Sequence, residues 1–214
     1  DPLNTTRDGL FPTAKVVDGW DFVGENWPNT PEAADPDPID YEGHGTHVSD
    51  IIAGKSTDGV HVGVAPDAKL LAIKVCSAIA TSCSGLALLQ GIEFALDPNG
   101  NGHMEDAVDV INMSLGNSYG QKEDDLSFAS ANAVNAGVVV VASAGNSADR
   151  PYIVGSPSSQ PEVISVAQTQ VPSARTFPLI VDSPANIAGA YKNTETVDWA
   201  PLGAGFTGPV AFAG

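Results

Sequence analysis

The chain has 214 residues and a formal net charge of −17 at pH 7, from 9 lysines and arginines against 26 aspartates and glutamates. This length suffices for one large domain with a sizeable core, or for one domain and part of another. The negative charge disfavours nucleic acid and anionic membranes as partners and is typical of a soluble, secreted protein. No stretch approaches the roughly 18 apolar residues of a membrane span, and the N-terminal DPLNTTRDGL lacks the apolar core of a signal peptide.

The first motif with chemical content is GHGTHV, residues 43–48, which sets His44 and His47 three positions apart before an apolar run. Three interpretations are open: a metal site, a catalytic base beside a bystander, or simply the start of a helix. The zinc metalloprotease signature places its histidines four positions apart with a glutamate between them, and this motif has neither feature. His61 and His103 lie in loop-like contexts without ligand spacing, which disfavours catalytic zinc.

Four short, nearly unbroken apolar runs predict β-strands. Runs that are rich in β-branched residues and do not alternate are typical of parallel sheets covered on both faces. Their order along the chain, with helical patterns between them, predicts right-handed crossovers. The predicted fold class is therefore α/β, a three-layer sandwich with a mainly parallel sheet. The runs are 69–75, 108–115, 138–143 and 162–167.

Two helices are predicted between these strands. Apolar residues recur at helical spacing over 86–96, after Ser84, a good N-cap residue. The alanine-rich stretch 126–136 ends at Gly137, where a left-handed C-terminal cap is expected. Because ligands bind at the carboxyl ends of the strands in such sheets, we expect the functional site in the small-residue loops that follow three of the runs.

The two cysteines, Cys76 and Cys83, lie close enough in sequence to close a small disulfide loop in an oxidising compartment. The alternative is a pair of buried thiols in a cytosolic protein.

The segment Asp97-Pro-Asn99-Gly-Asn101-Gly has the opening of a calcium-binding loop, with alternating oxygen side chains before a glycine. The twelfth position is Val108, where such loops carry a glutamate. Two interpretations stay open: a structural calcium bound by Asp97, Asn99 and Asn101, or a plain turn between a helix and a strand.

Five blocks together resemble, in order and spacing, the subtilisin-like serine proteases. The resemblance covers roughly residues 15–170 and is closest to the secreted multidomain branch whose catalytic domain carries a protease-associated insert. It implies that residues 1–170 form a partial catalytic domain, that 171–214 form a linker and the start of such an insert, and that the protein is extracellular. The blocks are GHGTHV (43–48), GVAPDAKLLAIKV (63–75), INMSLG (111–116), VVVVASAGN (138–146) and SPSSQPEVISVA (156–167).

The resemblance also assigns roles to particular residues. His44 matches the general base of the family, and His47 becomes a structural neighbour. Asn146, in SAGN, matches the side-chain donor of the oxyanion hole. The chemistry then requires no cofactor.

Two further segments resemble the family strands that flank the substrate. Ser114-Leu115-Gly116 matches the strand on one side of an extended peptide, and Thr81-Ser82-Cys83 matches the strand on the other side. Pairing through the main chain reads little sequence, so the expected partner is an extended polypeptide cleaved with broad specificity.

Two members of the family's Asp/His/Ser triad have no match. No D-T-G or D-S-G block precedes the histidine, and Asp18, in VVDGWDFVG, belongs to a stretch that follows the aspartate block in the family. Gly-Thr-Ser, the start of the serine block, does not occur. We therefore expect a fragment, incomplete at both ends and inactive alone, that depends on the remaining fragments of the same protease as partners.

Two other functions are open on the sequence. One is an inactive relative or proteolytic by-product that acts as a binding or antigenic module. The other is a metal-dependent hydrolase that uses His44 and His47 as ligands.

Overall fold

The elements of the first compact unit, Asp1–Gln168, alternate between strands and helices in a computed structural model of the chain. The structure describes residues 5–7, 9–147, 150–169, 178–192 and 208–209. In chain order the elements are β1 (Val16–Asp21), α1 (His44–Ala53), β2 (Leu70–Lys74), α2 (Gly85–Leu96), β3 (Val110–Met113), α3 (Asp125–Asn135), β4 (Val139–Ser143) and β5 (Ile164–Val166).

The strands form two separate parallel sheets. In the first, β1 pairs with β2, and Asp21 lies opposite Lys74 at the carboxyl end. In the second, β4 lies between β3 and β5. These pairings confirm the predicted α/β class with parallel sheets, and the described residues correspond to part of a three-layer sandwich.

A buried charge cluster joins β1 and β2 to the loop between β1 and α1. Lys74 Nζ lies 2.6 Å from Asp21 Oδ2 and 2.9 Å from Glu25 Oε1, and Asp21 is fully buried. Burial raises the pKa of Glu25 and of Asp35, which also faces Asp21. One oxygen of each of these two carboxyls is buried and has no hydrogen-bond partner among the described residues. We call Asp21, Glu25, Asp35 and Lys74 the Lys74 cluster.

The second sheet has an apolar core on one face. Side chains from β3 and β4 pack there against α2 and α3, which also contact each other. The buried members are Ile92, Met113, Ala133, Val140, Ala142 and Val163.

The opposite face of this second sheet is open in the described residues. Val110 and Val139 are 54% and 44% exposed, and Ile164 and Val166 are 53% and 51% exposed. In β3 and β4 these side chains alternate with more buried ones, whereas all three residues of β5 are exposed. Strands of parallel sheets are normally covered on both faces, so this apolar surface is unusual.

The predicted helix signals are confirmed. The Ser84 side chain caps α2 by accepting a hydrogen bond from Ala87 N, and Gly137 follows α3 with φ +107°. The strands are shorter than predicted by up to two residues at each end. β1 was not predicted, since Asp18 and Asp21 interrupt its apolar pattern.

The second compact unit, Thr169–Gly214, contains a described antiparallel hairpin of β6 (Pro178–Val181) and β7 (Gly189–Lys192). Much of the predicted insert lies outside the described residues, and its identity stays a prediction. Among the helices that the structure describes, none has both the length and the apolar character needed to cross a bilayer.

Candidate active site

His44 is the first residue of α1, and its side chain is exposed. In the described part of the chain neither His44 nor His47 has an ion pair with a carboxylate, and their imidazoles make no hydrogen bond; the described histidine ion pair joins His61 Nε2 to Asp50 Oδ2 at 2.8 Å. His47 is also exposed, and its backbone N–H donates to Gly43 O. The imidazole of His44 is thus open to a partner from outside this set of residues.

The start of α1 is organised by two acidic side chains. The N-cap position is Gly43, with φ +98°, and a glycine has no side chain with which to cap the helix. Asp40 Oδ2 accepts hydrogen bonds from Thr46 N and Thr46 Oγ1, both at 2.8 Å, and its Oδ1 accepts from Gly43 N at 2.8 Å. Glu42 Oε2 accepts from His44 N at 2.9 Å. Burial alone would raise the pKa of Asp40, but the hydrogen bonds that Asp40 accepts from Gly43 and Thr46 outweigh burial and lower the pKa.

Asn146 lies just beyond the carboxyl end of β4. Gly145, immediately before it, has φ +98°, a conformation that glycine adopts without strain and other residues rarely adopt. The Asn146 side chain is exposed and lines a cavity of about 310 Å³ together with Asn112, Ser114 and Ser143. Its amide makes no hydrogen bond to any described residue, so it is free to donate into the cavity.

Residues 114–116 follow β3. The side chains of Ser114 and Leu115 point in different directions. Ser114 lines the same cavity as Asn146, and its Oγ accepts a hydrogen bond from Asn112 Nδ2 at 3.1 Å. Leu115 instead packs against the cores of both sheets. The sequence predicted the three residues as one substrate-binding strand, but the packing of the Leu115 side chain leaves only its backbone for binding.

Two loops, residues 116–120 and 153–156, pack backbone against backbone at the end of this segment. We call these two loops the glycine wall. Asn117 N donates to Ser156 O at 3.3 Å, and Ser156 N donates to Asn117 O at 3.1 Å. A Cβ added to Gly155 would lie 2.0 Å from Asn117 O, and one added to Gly116 would lie 2.6 Å from Ser156 O. Only glycine permits this approach.

The glycine wall is tied to α3 through a buried serine. Ser156 is 1% exposed and donates its hydroxyl proton to Asp124 Oδ2. Asp124 Oδ1 caps α3 by accepting from Ser127 N at 2.8 Å. Burial opposes ionisation of Asp124, but the hydrogen bonds from Ser156 and Ser127 prevail and lower its pKa. This contact was not predicted from the sequence, where the only signal was an aspartate, Asp124, at the N-cap position of α3.

The predicted disulfide between Cys76 and Cys83 is confirmed. It closes a loop directly after β2, in which Ser77 N donates to Ser82 O at 2.9 Å. Thr81 and Ser82 are exposed at the tip and end of this loop. Residues 81–83 lie outside the strands and do not line the cavity beside Asn146.

Asp18 is engaged elsewhere. Its Oδ1 lies 2.6 Å from Arg7 Nη2 and also accepts a hydrogen bond from Gly19 N. It makes no described contact with His44, in keeping with its rejection as a triad member.

The oxygens of the predicted calcium loop accept backbone hydrogen bonds. Asp97 Oδ1 accepts from Asn101 N at 3.1 Å, and its Oδ2 accepts from Gly102 N at 2.7 Å. Asn99 Oδ1 accepts from Asn101 N, and Asn101 Oδ1 accepts from His103 N. Within the described ranges, no group of three or more His, Cys, Asp or Glu side chains is arranged to hold a metal ion. These side-chain oxygens thus stabilise the turn by themselves, and calcium binding stays a prediction.

Comparison with known proteins places these residues in a family. A family model for subtilases matches residues 15–200. Minor extracellular protease Vpr of Bacillus subtilis is 38% identical over 157 residues, which cover 72% of this chain and 18% of the relative. Major intracellular serine protease of the same species is 36% identical over 175 residues, covering 79% of this chain and 50% of the relative.

A solved structure agrees with the sequence relatives. Sphericase superposes with a TM-score of 0.57 and 32% sequence identity, over 71% of this chain and 46% of that chain. The chain therefore spans half or less of the length of these relatives. The matched residues contain both His44 and Asn146, and the chain belongs to the subtilase family.

Proposed function

We propose that this chain is part of a secreted subtilisin-like serine endopeptidase, in which His44 is the general base and Asn146 stabilises the oxyanion. The observation that carries the proposal is the Asn146 amide. It lines, without a described hydrogen-bond partner, a cavity at the carboxyl edge of a parallel sheet, whose walls combine polar side chains with apolar ones such as Val141 and Val166. Family membership and the exposed imidazole at the start of α1 support the same assignment.

In the proposed reaction, a serine hydroxyl from another segment of the protein attacks the carbonyl carbon of a peptide bond. The His44 imidazole accepts the hydroxyl proton and returns it to the leaving amine, and water then hydrolyses the acyl-enzyme by the same proton route. The Asn146 amide donates a hydrogen bond to the carbonyl oxygen as it gains negative charge.

The proposed substrate is an extended polypeptide held between residues 81–83 and 114–116. Support comes from residues 114–116, which directly follow β3 and lie outside the regular sheet, so that their main chain is suited to pair with an added strand. Residues 81–83 lie further from β2, in the disulfide loop, where Ser82 O already accepts a hydrogen bond from Ser77 N. Main-chain pairing favours broad specificity.

The missing triad members are proposed to lie in further segments of the same protease, which would be this chain's partners. The open apolar face of the second sheet supports this proposal, as does the limited share of each relative that the chain spans. In addition, β2 and β3 each have one edge without a strand partner among the described residues. A segment that covers these surfaces would remove apolar area from water.

Secretion is proposed from the disulfide, because such bonds persist in oxidising compartments. The relatives include both an extracellular and an intracellular protease, so they leave the compartment open. Export can be tested by fractionating the source cells and probing each fraction with an antibody to this chain.

The decisive experiment uses the full-length protein that contains this chain and a fluorophosphonate probe, which labels activated serines. We expect the wild-type protein to be labelled and to cleave casein, and His44→Ala to lose both properties. Asn146→Ala should reduce kcat by about 10²–10³-fold, the loss known for such a donor in a subtilisin. His47→Ala, one helical turn away, is the matched control and should keep labelling. Labelling that survives His44→Ala, or activity that is lost only with a chelator, would contradict the proposal.

A further inference from the structure

The first turn of α1 cannot cap itself. Its N-cap residue is Gly43, so the amide groups at the start of the helix need acceptors from elsewhere. Asp40 and Glu42 supply these acceptors from the preceding loop. The conformation of the residue that carries the imidazole thus depends on side chains outside the helix.

Asp40 contacts both sides of His44. Through Oδ1 it holds the loop before the histidine, accepting from Glu42 N at 3.0 Å and Gly43 N at 2.8 Å. Through Oδ2 it holds the helix after the histidine, accepting from Thr46 N and Thr46 Oγ1. A single carboxylate therefore fixes the backbone on each side of His44.

The imidazole has no other described support. No hydrogen bond or ion pair to a described residue orients the His44 ring, and the side chain is exposed. Its location follows from the backbone of the first turn, and that backbone is what Asp40 holds.

Two other carboxylates show how this arrangement differs from an ordinary turn or cap. Asp124 caps α3 from the N-cap position itself. Asp58 accepts from Ser56 Oγ and Val60 N within its own loop and makes no described contact with α1. Asp40 lies three residues before the N-cap and connects a loop to a helix.

We propose that Asp40 is a positioning residue for His44. This role rests on the proposed protease function. It means that the rate of proton transfer, and not substrate binding, depends on the Asp40 carboxylate. Loss of the carboxylate frees the first turn of α1 and moves the imidazole away from the serine hydroxyl. A misplacement of about 1 Å can lower a catalysed rate by about 10²-fold.

The test compares Asp40→Ala, Asp40→Asn and the control Asp58→Ala in the full-length protease. Endpoint titration with a fluorophosphonate counts competent sites, so that kcat is expressed per folded enzyme. We expect Asp40→Ala to lower kcat by about 10–100-fold while KM changes by less than about twofold. Asp40→Asn should recover part of the loss, because its Oδ1 can still accept from Glu42 N and Gly43 N. Asp58→Ala should leave both constants unchanged.

An unchanged kcat in Asp40→Ala, an effect confined to KM, or an asparagine variant no better than alanine would overturn the proposal. A wild-type protein that is neither labelled nor active would instead overturn the proposed function. In that case hydrogen exchange decides the positioning role. Amides 43–46 must exchange faster in Asp40→Ala than in Asp58→Ala, and equal exchange would refute the role.

Discussion

The two parallel sheets are held together by different physical means. The β1–β2 sheet depends on the buried Lys74 cluster and on a disulfide at its carboxyl end, around a small apolar core. The β3–β5 sheet depends on apolar side chains beneath two helices and on the glycine wall at its carboxyl end. The first region should therefore respond to changes of charge and redox state, and the second to changes of volume.

The largest effect is expected from Lys74→Ala. This change leaves Asp21 and Glu25 buried without their cation, and breaking a buried ion pair in this way costs about 3–5 kcal/mol. Hydrogen-exchange mass spectrometry of the full-length protein should show this loss in the amides of β1 and β2 and not in those of β4. The control is Lys55→Ala, since Lys55 is 3.5 Å from Asp67 on the surface and should contribute little. Equal effects of the two substitutions would contradict the comparison.

A smaller effect is expected when the disulfide is removed by replacing Cys76 and Cys83 with serine. The bond closes a loop with a sequence separation of 7, and a loop of this size stabilises by about 2–3 kcal/mol on the chain-entropy model. Exchange should increase in residues 76–84 and leave the glycine wall unaffected. A reducing agent should reproduce the change in the wild-type protein and produce none in the double variant.

Gly155→Ala tests the second region. The new Cβ would meet the Asn117 carbonyl oxygen, and overpacking of this kind costs about 1–3 kcal/mol. We expect faster exchange in residues 117–120 with no change in β1 or β2. Gly85→Ala is the matched control, because a Cβ there meets nothing within 4 Å and its position opens a helix. If Gly155→Ala were as well tolerated as Gly85→Ala, the glycine wall would not be sterically required.

The smallest expected effect is a difference between the two regions in how their stability depends on pH. Glu25 and Asp35 have pKa values above their ordinary 4.5 and 3.8, so their contribution to stability is present below those values and is lost as pH rises through the folded pKa. Asp124 has a pKa below 3.8, so its contribution is present above that value and is lost as pH falls through the folded pKa.

Hydrogen exchange, corrected for the pH dependence of the intrinsic exchange rates, gives the free energy of local opening. Its change with pH tests the two directions. Acidification towards the ordinary carboxyl pKa values of 4.5 and 3.8 should stabilise β1 and β2, whereas acid below pH 3.8 should open the glycine wall. Glu25→Gln together with Asp35→Asn should remove the first trend, and Asp124→Asn should remove the second. Parallel pH profiles in both regions would be inconsistent with this assignment.

Local signals predicted the second sheet better than the first. Apolar runs and caps such as Ser84 depend on neighbouring residues, so the sequence indicates them directly. β1 carries Asp21, whose buried carboxylate accepts hydrogen bonds from Val23 N and Gly24 N and pairs with Lys74 on another strand. A tertiary contact of this kind leaves no periodic signal.

The sequence motifs place His44 and Asn146 in the predicted site, and the catalytic roles of both residues stay predictions. The motifs gave no sign of the residues that hold the surrounding loops. Asp40 and Ser156 were missed, because their importance comes from hydrogen bonds to other loops. The segment 114–116 was predicted as one binding strand, yet the side chains of Ser114 and Leu115 point to a cavity and to a core.

Leu115 contacts the cores of both sheets while its neighbours carry the candidate substrate-binding backbone. We therefore expect a change in the spacing of the two cores to shift this loop. Leu115 thus ties the position of this loop to the positions of both cores.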